Sequence, residues 1–411
     1  MATFPILRNP NDAFPDSWNK SICILCTSSK QEKDALDALE QKGFENGVIF
    51  VPPKDNRDEE WEEKVFQFSD LILFWFDTSE DEKNLAEFGR WAATGKALCG
   101  KADAFQSSKI EKLAKEGKLT VSTSMADLIA QVDKKLAKCT QPRELGERQV
   151  PAHVWLTPSF QLWVKSVKEV GNRLDAAKLE YSFRVGPGGV FTLYWVIHAD
   201  VHVTAENRNK SNEIVIGRPD VSMIFAYRTN GPHLMDTDVV LIKEFRSPCR
   251  GGDGFVHELP GGSSFKFDPA TAPEDAMLGT AAEELEEEAG VKVEGSRMTY
   301  HGSKQIASTV CAHHAHLFSV ELSEAEMNKI KDDASKKVAL GVIEETERTY
   351  PEVHKLRDLM KSQLIDFAAI GMINSVLAAR FAGGDKAQSA NVSSESAPDL
   401  WTGLGLQCVI A

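Results

Sequence analysis

The sequence predicts an α/β protein built from two different α/β blocks, and two observations carry that prediction. Residues 20–138 alternate short apolar runs with helix-period stretches, the pattern of a parallel sheet covered on both faces. Residues 150–382 instead hold an apolar strand end, a glycine turn, a polar loop and an acidic helix ending in Gly290. Between the blocks, residues 139–149 are polar with Pro142 and Gly146, and read as a linker. Residues 383–411 open on a Ser-, Gly- and Ala-rich stretch and read as a flexible tail.

In the first block, Ile22 to Leu25 have the all-apolar character of a buried strand, and Gln31 to Lys42 follow as a helix. Gly47 to Val51 read as a strand, Glu59 to Phe68 as a helix and Leu71 to Phe76 as a strand. Leu85 to Thr94 read as a helix, Gly95 to Leu98 as the start of a strand and Met125 to Lys138 as a closing helix. In the second block, Val239 to Arg246 and Thr309 to Val320 are strand-like. A helix runs from about Pro273 to Gly290, a natural C′ residue, and Val291 to Val293 restart a strand.

Length and composition narrow the function classes. A chain of 411 residues holds about two or three domains. Hydrophobic content of 42% and charged content of 26% are those of a globular protein. The formal charge of −14, with no Lys/Arg stripe, argues against a nucleic-acid surface. The N-terminal ten residues have no apolar segment of a signal peptide, and no run reaches the length of a membrane helix. The seven cysteines are odd in number and scattered, as expected of free thiols in a reducing, cytoplasmic setting. Cys23 and Cys26 form a CxxC inside an apolar strand, which predicts buried thiols rather than a redox pair.

The most informative chemistry lies in Glu283-Glu284-Leu285-Glu286-Glu287-Glu288-Ala289-Gly290. Glu284, Glu287 and Glu288 stand at i, i+3 and i+4, on one helix face. Three acids on one face repel unless a cation lies between them, and a hard divalent ion would also hold a phosphate. A solvated acidic face is the plain alternative. The preceding Glu258-Leu259-Pro260-Gly261-Gly262 turn favours the phosphate reading. Arg246 and Arg250 supply a local basic patch for an anionic substrate.

These motifs resemble the Nudix hydrolase signature, over about Phe183 to Arg380. Glu284, Glu287, Glu288 and Gly290 match its invariant positions, Leu285 and Val291 its apolar ones, and Asp275 the earlier acid. The Glu258 to Gly262 run resembles the nucleotide-sugar pyrophosphatase variant, as does Val239 to Arg246. Two departures stand out: Glu283 occupies the place of the signature Arg, and the loop between Gly262 and Asp275 is long. The resemblance implies an α/β/α mixed-sheet Nudix fold and magnesium, with manganese as the alternative, held by Glu284, Glu287 and Glu288. It implies hydrolysis of a nucleoside diphosphate sugar, ADP-ribose favoured, with Arg246, Glu258, Gly261 and Gly262 at the substrate. Its general base would come from the Gly341 to Glu347 region, Glu345 first and Glu347 second. A catalytically impaired nucleotide sensor or scaffold is the second reading, favoured by Glu283.

The first block resembles the nucleoside 2-deoxyribosyltransferase-like domain. The matching pieces are Phe50-Val51-Pro52-Pro53, Trp61-Glu62, Ser69 to Phe76, Asn84 to Gly89 and Gly95-Lys96. That resemblance implies a flavodoxin-like parallel α/β sandwich that binds or cleaves a related nucleoside. Glu87 would be its nucleophile, with Asp81 and Asp70 at the substrate. Cys26-Thr27-Ser28-Ser29 stands where that family has a glycine.

Two further motifs complete the reading. Cys311-Ala312-His313-His314-Ala315-His316 lies in a strand-like run, with His314 and His316 on one face. Substrate-contacting or ordinary histidines fit better there than a transition-metal site. The C-terminal Cys408-Val409-Ile410-Ala411 has the C-a-a-X pattern; in a eukaryote, farnesylation of Cys408 would make the protein membrane-associated. Otherwise the expected partner is a nucleotide-sugar small molecule, and the oligomeric state stays open, a homodimer included.

Overall fold

Ile22, Cys23, Ile24 and Leu25 have no polar face, and all four are buried on both sides of a strand at the middle of the first sheet. The computed structural model describes residues 4–54, 58–77, 81–186, 189–263, 273–341 and 348–382. The fold is mixed α/β, with one parallel sheet and one mixed sheet in two separate units. One unit is Met1–Arg218 with Thr309–Ala312; the other is Pro219–Ser308 with His313–Ala411.

The first unit contains β1 (Ile6–Leu7), β2 (Ser17–Trp18), β3 (Lys20–Cys26), α1 (Ser29–Gln41), β4 (Gly47–Phe50) and α2 (Glu59–Phe68). It continues with β5 (Leu71–Phe76), α3 (Glu82–Trp91), β6 (Ala97–Lys101), α4 (Ser108–Glu116), β7 (Val121–Ser122) and α5 (Met125–Leu136). Its parallel sheet has the order β1-β4-β3-β5-β6-β7. Ala35 and Leu39 of α1 and Leu128, Ile129 and Val132 of α5 pack on one face. Trp61 and Val65 of α2, Phe88 of α3 and Ile110 of α4 pack on the other. Ser28, Asp58, Asp81, Ser107 and Ser124 each cap the helix that follows by accepting from a backbone N–H, so the strand-to-helix turns are set locally.

Residues 139–149 are not a linker. They contain β8 (Arg143–Glu144), which pairs with β2, and Arg143, Gly146 and Glu147 are buried. The division between units falls instead at Arg218/Pro219. The reason is a third core: α6 (Ala152–Trp155) and α7 (Pro158–Glu169) pack on the antiparallel β9 (Arg173–Val185), β10 (Phe191–Val203) and β11 (Arg208–Gly217). Trp195, Phe160 and Ile197 are wholly buried there. Long strands alternating apolar with polar residues give no sharp sequence signal for a separate layer, so the sequence does not set this core apart from the second block.

The second unit holds β12 (Val221–Arg228), β13 (Asp238–Glu244), β14 (Val256–Glu258), β15 (Gly261–Gly262), α8 (Pro273–Ala289), β16 (Thr299–Gln305) and β17 (His314–Glu321). Then come α9 (Glu324–Lys336), β18 (Thr349–Lys355), α10 (Leu356–Leu359) and α11 (Phe367–Ala382). Its sheet runs β14-β13-β12-β17-β16, with β15 on β12 and β18 on β13; β12 and β17 are parallel and the other pairs antiparallel. Period-two alternation splits β12 between two cores. Ile224 and Ala226 face Ala281, Leu285 and Ala289 of α8 and Met327 and Ile330 of α9. Val221, Met223 and Phe225 face Leu356 and Leu359 of α10 and Ile373 and Val376 of α11.

Two strand expectations shift. Val291 to Val293 join no ladder; both valines are only 3% exposed, so core packing rather than strand pairing explains their apolar pattern. β17 begins at His314, five residues later than the apolar run at Thr309. Among the described residues no helix is long and apolar enough to cross a membrane. Residues 383–411, with Cys408, lie outside the described residues.

Candidate active site

Helix α8 sets the site by offering two faces. Ala281, Leu285 and Ala289, spaced four apart, are fully buried on the sheet. The acids at 284, 287 and 288 are therefore turned progressively away from that core. Glu288 is 2% exposed, Glu284 is part-buried and Glu287 is exposed. The helix ends because Gly290 takes a left-handed φ of 71°, and its N–H donates to Glu286 O at 3.0 Å. Lys329 Nζ donates to the Gly290 carbonyl and fixes the turn from outside.

The glycines of the turn meet these acids directly. Gly261 N donates to Glu288 Oε2 at 2.8 Å. A Cβ on Gly262 would overlap the Glu284 carboxylate, and one on Gly261 would overlap the Ser222 carbonyl. Gly261 needs glycine because the β12 backbone cannot yield, whereas at Gly262 an added Cβ would push aside the end of the Glu284 side chain. Gly261 and Gly262 pair with Met223 and Ser222 on β12. Leu259 anchors the turn with a wholly buried side chain. Glu258 ends β14, opposite Ile242 of β13. Glu284, Glu288, Gly261 and Gly262 are thus brought together, with Glu287 on the outer side of the same helix turn.

The other expected residues fall elsewhere or outside view. Arg246 Nη2 pairs with its near neighbour Glu244 at 2.7 Å. Glu345 and Glu347 lie outside the described residues. Glu283 is exposed. Among the described residues no three His, Cys, Asp or Glu side chains converge closely enough to hold a metal ion. The donor chemistry of Glu284, Glu287 and Glu288 still suits magnesium, which takes one or two carboxylates and completes its shell with water and substrate phosphates.

Beside Glu258 lies a charged cluster that the sequence reading missed. His257 Nδ1 is 2.7 Å from Glu352 Oε2 and its Nε2 is 3.1 Å from Asp253 Oδ2. Lys243 Nζ reaches Asp253 at 2.6 Å, and His354 Nε2 reaches Glu352 at 3.1 Å. The Lys243 ammonium, the Phe255 N–H and His257 hold the Asp253 carboxyl well below the usual carboxylate range. Burial pushes the Glu352 carboxyl up, but hydrogen bonds from His354 and His257 outweigh it and the net shift is down. The cluster ties β14 to β18 across β13. The period-two spacing of Glu352 and His354 is the only trace it leaves in the sequence.

The histidine run resolves differently from a metal cluster. His316 is buried, with Nε2 3.2 Å from Asp220 Oδ2 and Nδ1 3.1 Å from the Tyr300 hydroxyl. His314 N–H donates to Asp220 Oδ1 at 2.8 Å, and its Nδ1 is 3.3 Å from Ser303 Oγ.

In the first unit the three expected carboxylates do not meet. Asp70 precedes β5 and Asp81 follows it, so they flank opposite ends of a six-residue strand, about 20 Å long. Asp70 is 1% exposed and is consumed by the fold: it accepts from Ser21 N, Ala152 N and the Arg143 guanidinium. A carboxylate so enclosed cannot face a substrate. Asp81 caps α3 by accepting from Asn84 N at 2.7 Å. Glu87, on the next turn, accepts from Trp91 Nε1 at 3.0 Å and faces Arg90 at 3.7 Å. The CxxC thiols are buried as expected, and burial pushes Cys26 up to about 12.

No family model matches the sequence, and no curated protein matches it. Among solved structures, a crystal structure of an ADP compounds hydrolase is similar over 52% of this chain and 98% of its own, at 14% identity and a TM-score of 0.32. A likeness at that level carries no argument about this chain.

Proposed function

We propose that the second unit hydrolyses the pyrophosphate of a nucleoside diphosphate sugar, ADP-ribose favoured, using Glu284, Glu287 and Glu288. Water adds across the P–O–P linkage, giving a nucleoside monophosphate and a sugar phosphate. The observation that carries the reading is the packing of the Gly261–Gly262 strand on the acidic face of α8, with Gly261 N donating to Glu288 Oε2 at 2.8 Å. Glu288 holds the turn in register, Glu284 lies against Gly262, and Glu287 is presented outward. These three residues would hold magnesium, or manganese in its place. When bound, that ion neutralises phosphate charge and lowers the pKa of a water. A carboxylate within hydrogen-bond reach takes the water's proton, the role assigned to Glu345. Arg246 and Glu258 contribute to substrate binding in this reading. The first unit binds or cleaves a related nucleoside, with Glu87 as the group that meets the sugar.

A second reading, a nucleotide sensor or scaffold without turnover, is favoured by Glu283 in place of the signature Arg. The test is release of phosphatase-accessible phosphate from ADP-ribose with magnesium, comparing the unaltered protein with Glu287→Gln and Glu288→Gln. Hydrolysis lost in both variants supports the enzyme. Equal activity in variant and parent sinks it. Binding of ADP-ribose by calorimetry with no product supports the sensor.

A further inference from the structure

We infer that His257, protonated on both ring nitrogens, is a positioning residue for the glycine turn of the second unit: it clamps β14 to β18 and releases it when one proton leaves; this rests on the pyrophosphatase reading for the reaction it serves.

The protonation state follows from counting donors. A carboxylate only accepts, and a neutral imidazole has one N–H and one bare lone pair. His257 nevertheless sets both nitrogens against carboxylates, Nδ1 at 2.7 Å from Glu352 Oε2 and Nε2 at 3.1 Å from Asp253 Oδ2. Both contacts are hydrogen bonds only in the imidazolium. Neither acid supplies the missing proton at neutral pH. Lys243 and the Phe255 N–H hold the Asp253 carboxyl well below its ordinary range, and Glu352, against its burial, is brought below it by hydrogen bonds from His354 and His257. Lys243 stands opposite His257 in the β13–β14 ladder but is turned to Asp253 at 2.6 Å, and Tyr350 of β18 is in the same row. His354 lies behind Glu352 at 3.1 Å. Among the described residues no other charged side chain contacts His257, which is 6% exposed. Loss of one proton therefore leaves a buried lone pair facing a carboxylate, and that contact turns repulsive.

The place of His257 in the sheet gives this a consequence. β14 has three residues, lies at the sheet edge and pairs only with β13 among the described strands. So short a ladder opens readily by itself. β18 pairs along the whole of β13, so the reach of His257 across β13 to Glu352 fastens the weak strand to a strong one. The residues that follow are Glu258 and the turn, where Leu259 is wholly buried and Gly261 N donates to Glu288 Oε2 at 2.8 Å. Leu259 shares a core with Leu241, Leu356 and Leu359, and His257, two residues earlier, is on that same face. The clamp thus sits on the side of the sheet away from α8 and touches none of its acids. It acts through the backbone of β14, by fixing where Gly261 meets Glu288.

The test is hydrogen exchange of the backbone amides of residues 256–262 in the full chain without ligand, corrected for the intrinsic effect of pH. In the unaltered protein, protection is expected to fall about tenfold between about pH 6 and pH 9. In His257→Gln it is expected to be low at both ends of that range. Glu352→Gln places an amide nitrogen between the two histidines, able to donate to the bare Nδ1 of a neutral His257 and to His354, so protection is expected to stay high throughout. No change with pH in the unaltered protein, or the same fall in Glu352→Gln, overturns the inference. Proton–nitrogen spectra of the imidazole rings in the unaltered protein follow the His257 proton directly. A midpoint that does not coincide with the loss of protection overturns the inference even if both variants fail to fold. The expected exchange pattern without ADP-ribose hydrolysis leaves the clamp standing and removes the pyrophosphatase. Hydrolysis whose kcat/KM has the same pH profile in the unaltered protein and in Glu352→Gln does the reverse.

Discussion

Arg143 and Asp70 form a buried two-pronged ion pair: Arg143 Nη1 donates to Asp70 Oδ1 at 2.8 Å and Nη2 to Oδ2, with neither side chain more than 1% exposed. Arg143 also donates to the carbonyls of Val150 and Asn19, which fastens the 139–149 segment to the base of the parallel sheet. Removing one partner strands the other charge in the interior. Arg143→Ala is expected to destabilise the first unit by about 3–5 kcal/mol, and the double replacement Asp70→Asn/Arg143→Met by less than either single change alone. Urea unfolding of the two singles and the double measures it; additive losses would show that the pair acts as two separate contacts.

Lys96 gives a pH signature. Burial drives its ammonium down to about 7, against an opposing pull from Asp70, while Nζ donates to the carbonyls of Phe66 and Gln67. The folded pKa lies below the ordinary lysine value of 10.5, so the unfolded chain binds more protons between about 7 and 10.5. The Lys96 contribution to stability is full above 10.5 and is lost as pH falls towards 7. Melting temperatures of the parent minus those of Lys96→Met should therefore rise from pH 7 to pH 10. A flat difference would show that the amine stays charged in the fold.

The sequence exposes what is local. The first sheet's strands were legible because parallel strands buried on both faces must be apolar throughout, as Leu71 to Phe76 are. The acid helix and its stop were legible from Leu285, Ala289 and Gly290. Pairings between distant residues were not. Nothing near Asp70 announces that Arg143, 73 positions away, will claim its carboxylate. The same holds for Asp220 and His316, 96 positions apart. Motif order at Asp70 and Asp81 suggested a shared site, and only the strand between them shows that they stand at opposite ends.

Gly262 offers a direct probe of the turn. A methyl there would overlap the Glu284 carboxylate, and one side of the collision must move. Gly262→Ala is expected to change stability by no more than about 1 kcal/mol, because the colliding atoms are the end of a flexible side chain, and to abolish any pyrophosphatase activity by displacing Glu284. The double variant Gly262→Ala/Glu284→Ala should be no less stable than the single and equally inactive. Thermal unfolding beside product assays reads both, and a large loss of stability in the single variant would show that the carboxylate cannot yield.

Glu287 and Glu288 are neighbours in sequence with different physical duties. Glu288 is 2% exposed and accepts from Gly261 N, whereas Glu287 is exposed and its backbone carbonyl accepts from Gly341 N at 3.0 Å. Glu288→Ala leaves the part-buried Gly261 N–H without this acceptor and should cost about 1–3 kcal/mol. Glu287→Ala should change stability by no more than about 0.5 kcal/mol. If both acids also serve hydrolysis, both variants lose turnover, but only Glu288→Ala loses folding stability. Repeating the unfolding curves with magnesium separates the roles further. The parent should gain stability from the ion through linkage, and Glu287→Ala should lose that gain while keeping the parent's stability without metal. A Glu287→Ala protein that responds to magnesium as the parent does would remove Glu287 from the metal site.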